Sequence, residues 1–107
     1  FPAESRERFD GHLVDAGIRV VIGLHPHVPQ GIERRGDGLI LFGLGNFFFQ
    51  AAHFAKYPWA RRSFVPRLHF RGARLHGLEL QPIVLETNPL LTRPGSAAEA
   101  EEILSHL

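Results

Sequence analysis

His25-Pro26-His27 is the part of this chain whose residue types and spacing point most directly to chemistry. Proline fixes its own φ and biases the residue before it toward extended backbone. In an extended chain, residues i and i+2 point to the same side. The two imidazoles are therefore expected to converge. Neutral imidazole suits zinc, manganese, iron and nickel, and two-metal hydrolytic sites hold their ions ~3.5–4 Å apart. The pair fits one histidine on each of two ions, or both on one. The same triplet also reads as a water-facing turn that carries two rings.

Two further stretches have chemical potential. Gly43-Leu44-Gly45-Asn46 joins glycines, which let backbone approach closely, to an amide that both donates and accepts. Gly45 and Asn46 read either as neighbours of a metal site, orienting a ligand or touching substrate, or as a turn in which Asn46 bonds its own backbone. Residues 54–62 mix Phe54, Tyr57 and Trp59 with Lys56, Arg61 and Arg62. Guanidinium forks match carboxylates and phosphates, so Arg61 and Arg62 are the candidate anion contacts. The competing reading is a solvated loop with aromatic anchors. His53, His69 and His76 have no partner pattern, His12 lies on a helix flank, and His106 sits in a last helical turn, where a cation is favourable. Glu33, Glu79 and Glu86 form no pair spaced for acid–base work, and no serine has a nucleophile-elbow context.

The elements that must position these residues follow from local pattern. Residues 4–16 read as a helix with Phe9, Leu13 and Ala16 on its apolar face and Gly17 just past its end. IRVVI, residues 18–22, reads as a strand buried on both faces, ended by Gly23. Residues 32–35 and 39–44 read as strands joined by hairpin chemistry at Gly36-Asp37-Gly38. Residues 65–70 and 75–80 form a second hairpin around Arg71-Gly72-Ala73-Arg74. Pro82 marks an edge strand or a bulge, because it cannot donate to a ladder. Residues 87–95 read as a connector. Ser96 and Glu99 make a capping box for a closing helix with Ala100, Ile103, Leu104 and Leu107 as its stripe.

Composition bounds the rest. The 107 residues amount to one small domain at most, and 44% hydrophobic residues suffice for a core. A net charge of +1 argues against nucleic acid as partner. With no cysteine, disulfides, thiolate zinc sites and cysteine nucleophiles are excluded. No apolar run reaches the ~20 residues that span a bilayer. Phe1-Pro2-Ala3-Glu4 reads as the inside of a longer protein.

Asp15-Ala16-Gly17, Val20-Val21-Ile22-Gly23, His25-Pro26-His27-Val28 and Gln30-Gly31-Ile32-Glu33, followed by Leu44-Gly45-Asn46-Phe47, resemble the C-terminal half of CapA-type poly-γ-glutamate capsule-biosynthesis proteins. The specific match covers about residues 15–49, and general layout covers the remainder of 1–107. Leu24, Pro29 and Phe42-Gly43 depart from the family's pattern, and none of these touches the histidines. The resemblance implies an α/β fold, α+β at the margin: the C-terminal part of a metallophosphoesterase-like αβ sandwich, built from helix, buried strand, two β-hairpins and closing helix. It implies a two-metal site of manganese, iron or zinc, with His25 and His27 as its last ligands and the others in an N-terminal remainder that the domain requires. It implies a metal-dependent hydrolase in the intact protein, inactive as this piece alone, located at the cell envelope or membrane-associated. The expected partner is an anionic polymer or phosphate-containing substrate. The alternative is a non-catalytic binding or scaffolding module for anionic envelope polymer.

Overall fold

The structure is a computed structural model, and it describes residues 3–24, 26–48, 57–87 and 89–107. The elements run α1 (Glu4–Asp15), β1 (Val20–Ile22), β2 (Ile32–Arg35), β3 (Gly38–Leu41), a 3-10 turn (Pro58–Arg61), β4 (Arg62–Arg71), β5 (Arg74–Thr87), β6 (Leu90–Pro94) and α2 (Ala97–His106). The mixed α/β class expected from the sequence holds. His25 and residues 54–56 of the basic–aromatic stretch lie outside the described residues.

Two three-stranded sheets face each other. The first has the order β1-β3-β2, with β1 parallel and β2 antiparallel to β3. Gly36 takes φ 58° in the two-residue turn between β2 and β3, the sign that primed hairpin turns require. Because side chains alternate along a strand, β3 serves two cores. Leu39 and Leu41 meet Phe64 and Leu75 of the second sheet, while Ile40 packs with Val21 and Phe42 beneath Leu13 and Val14 of α1.

This corrects the expectation for IRVVI. The strand buried on both faces is β3, and β1 is an edge whose Ile22 is 44% exposed. β-branched residues make a good strand, but burial depends on which strand the pairing places in the middle. The face of α1 also differs: Asp10 and Gly11 are buried and Phe9 is 60% exposed. Asp10 tolerates burial because Arg6 donates to its Oδ2 at 2.8 Å.

The second sheet, β4-β5-β6, extends the second hairpin at both ends and adds β6, a strand inside the span where the sequence predicts a connector. Pro82 sits in the central strand β5, not in an edge strand, and the register irregularity falls at His69/Phe70 instead. Proline is accommodated because pairing with β6 begins only at Ile83. Pro82 O accepts from Gly95 N at 3.0 Å, so its backbone polar edge faces the β6 side, where no ladder donor is needed. α2 starts at the expected capping box: Ser96 Oγ accepts from Glu99 N, and Ser96 N donates to the Glu99 carboxylate. Ile103 is its fully buried residue, and Leu107 reaches the inter-sheet core. No helix among the described residues is long and apolar enough to cross a membrane.

Candidate metal centre

The loops after β1 and β3 leave the carboxyl ends of two parallel strands, where open α/β sheets gather their ligands. They are stitched to each other. Gly23 N donates to Leu41 O at 2.7 Å, Leu44 N to Gly23 O at 3.3 Å, and Gln30 N to Gly43 O at 3.1 Å, and Pro29 bridges Leu44. Gly23 and Gly43 permit this approach: a Cβ at Gly23 would sit 2.1 Å from Phe42 O, and one at Gly43 2.9 Å from Val28 O.

His27 lies in this junction, half-buried, with φ 60°. It is the one non-glycine residue in the left-handed region among the described residues. The extended geometry expected for it does not hold. Proline restrains the residue before it and leaves the residue after it to turn. Histidine is among the side chains enriched in this region, and a non-glycine residue held there marks a position that its surroundings determine.

Asn46 is 8% exposed and sits between two partners. Its Nδ2 donates to Ala60 O at 3.0 Å, and its Oδ1 lies 2.7 Å from His27 Nδ1. The first contact fixes which end of the amide is which, because a carbonyl can only accept. The second must then be Nδ1–H donating to Oδ1, which places the ring's lone pair on Nε2. Metal-binding histidines are commonly oriented in this way, with one ring nitrogen donating to a protein acceptor and the other facing the ion. Asn46 therefore does not bond its own turn. Gly45 takes φ 85°, and a Cβ there would stand 3.0 Å from Arg62 O, so glycine is what lets the loop deliver Asn46 to both partners.

The loop is anchored from outside. Leu44 O accepts from Phe64 N and Ser63 Oγ. His106, at the end of α2, places Nε2 3.1 Å from the carbonyl of buried Pro29 and stacks on Trp59 with centroids 4.1 Å apart. The sequence alone does not point to Trp59, Ser63, His106 or Ala60 O as parts of this site. A backbone carbonyl has no residue signature, and nothing in the local pattern joins His106 to a loop 77 residues away.

Arg61 and Arg62 are engaged within the fold. Arg61 donates to Leu85 O and Glu86, and Arg62 pairs with Glu102 while lying 5.3 Å over the Trp59 ring. No group of three or more His, Cys, Asp or Glu that could hold a metal gathers among the described residues. The donor chemistry they present is one oriented imidazole, which suits a partial contribution to a metal centre and not a whole one.

Residues 1–51 match the family described as bacterial capsule synthesis protein PGA_cap. Over 87 residues the chain is 30% identical to the capsule biosynthesis protein CapA of Bacillus anthracis, covering 79% of this chain and 20% of that protein. Over 82 residues it is 28% identical to the PGA biosynthesis protein CapA of Bacillus subtilis, covering 77% and 20%. These matches bear out the resemblance carried by the motifs: the chain is similar to CapA-type capsule-biosynthesis proteins. It spans about a fifth of the length of these curated relatives.

Proposed function

We propose that this chain belongs to a protein of capsule biosynthesis and closes a two-metal, phosphoesterase-type site there, with His25 and His27 as ligands. The capsule role is taken from the names of its relatives. The observation that carries the metal reading is the Ala60–Asn46–His27 chain of hydrogen bonds, which presents Nε2 as the ring's lone-pair nitrogen. Asn46 and Gly45 are positioning residues: one holds the ring, the other lets the backbone turn. Two histidines without carboxylates make a weak, unselective site, so the remaining ligands come from the N-terminal remainder and this piece alone does not turn over substrate. Divalent ions, with manganese, iron and zinc as candidates, would supply Lewis acidity and a hydroxide nucleophile for hydrolysis at the cell envelope. The test is the manganese and zinc content of the intact protein as wild type, His25→Ala and His27→Ala. Loss of metal in both variants is expected, and equal content in all three rejects the assignment.

A further inference from the structure

Among the described residues, every arginine but three is ion-paired with a carboxylate. The three are Arg34, Arg71 and Arg74, and all of them line one cavity of about 330 Å3 together with Leu75 and His76. Among the described residues no carboxylate lines it. In a chain with nearly equal numbers of acidic and basic residues, unpaired guanidinium groups would be expected to scatter. Here they converge from two sheets: Arg34 from β2, Arg71 and Arg74 from the tip of the β4–β5 hairpin.

The convergence has a cost within the fold. Arg71 and Arg74 are direct cross-strand partners, and like charges placed opposite each other destabilise a hairpin. Gly72, at φ 60°, makes the tight turn that forces them together. Arg34 pairs with Leu39 near the start of β3, the opposite end of that strand from the loop holding Asn46. The cluster is therefore a separate surface from the candidate metal centre, and also from Arg61 and Arg62.

We propose that Arg34, Arg71 and Arg74, with His76 as a fourth donor, form a binding site for a carboxylate-bearing anionic polymer. Guanidinium forks match carboxylates in two-bond geometry, and three of them on two facing sheets suit a ligand with repeated charges better than a single anion. Such a ligand would relieve the Arg71–Arg74 repulsion and bridge the two sheets. The choice of a polycarboxylate rests on the capsule-biosynthesis role in the proposed function and on the anionic polymer that the family resemblance implies, and not on the metal site.

The experiment measures binding of fluorescently labelled poly-γ-glutamate to the intact protein by anisotropy, at low and high salt. The triple variant R34A/R71A/R74A is compared with R8A/R19A/R67A, which loses the same charge from exposed arginines that already have carboxylate partners. Weakening of more than about tenfold is expected in the first variant, with shallower salt dependence, and a change within about threefold in the second. Circular dichroism establishes that both fold, and metal content remains at the wild-type level in both. Equal weakening in the two variants would reduce the effect to net charge and overturn the site. Absence of binding by the wild type would also overturn it, and tighter binding of inorganic polyphosphate would overturn the polycarboxylate assignment. Metal loss in the His25 and His27 variants with polymer binding intact would support two independent surfaces.

Discussion

The contact between His27 and Asn46 joins residues 19 apart through an amide whose direction is set by Ala60 O. Asn46→Ala removes the acceptor that orients the ring and leaves the buried Ala60 carbonyl without its donor. Metal affinity of the intact protein is expected to fall by about 10–100-fold, the usual loss when a residue orienting a ligand is removed. Stability is expected to fall by about 1–3 kcal/mol from the unsatisfied carbonyl. Asn46→Asp restores an acceptor for His27 but cannot donate to Ala60, so it should recover metal affinity more than stability. Manganese titration and denaturant unfolding separate the two effects, and unchanged affinity in Asn46→Ala would show that the ring is held by something else. At this scale the sequence identified both residues as candidates, because histidine pairs and glycine–asparagine turns have recognisable chemistry. It left open whether they meet, since that contact belongs to two loops and not to either one.

Among the elements, α2 is the one whose local signal and observed geometry agree most closely. Its N-terminus does more than cap itself. The Glu99 carboxylate accepts both terminal nitrogens of Arg93 from β6, at 2.7 and 2.9 Å, as well as Ser96 N. The Arg93 hydrogen bonds, and after them the Ser96 backbone, hold the Glu99 carboxyl at about 2, below its ordinary 4.5. A carboxyl depressed on folding stabilises the native state above its unfolded value and loses that contribution as pH falls through its folded value. The melting temperature is therefore expected to drop as pH is lowered from about 4.5 toward 2. Glu99→Gln should start lower and flatten that part of the profile, and thermal melts by circular dichroism across this range provide the check. An unchanged profile in the variant would mean that the Arg93 clamp does not hold α2 to the sheet. The capping box was readable because it spans four adjacent residues. The clamp was not, because β6 was hidden in a stretch interrupted by Pro89 and Pro94 and takes its identity from pairing with β5.

At the scale of the whole molecule, β1 is a parallel edge: among the described residues it is bonded only to β3, and Ile22 and Leu24 beside it are 44% and 66% exposed. Parallel strands are ordinarily covered, and an open apolar edge is a template for another chain. The 107 residues on their own are expected to self-associate with rising concentration, and Ile22→Lys should suppress this. Sedimentation velocity over a concentration series tests the expectation, and a wild-type chain that stays monomeric with a sharp thermal transition would overturn it. What the sequence determined by itself is the set of parts: α1, two hairpins, a capped closing helix, and the residues able to do chemistry. Each of these follows from rules that act within a few residues, such as periodicity, turn conformation and capping. Tertiary structure alone decided that β3 and not β1 is the covered strand, that His106 props the Pro29 loop, and that Arg61 and Arg62 are ion-paired while Arg34, Arg71 and Arg74 converge unpaired. These depend on which distant groups come within contact distance, and short-range pattern carries no information about that distance.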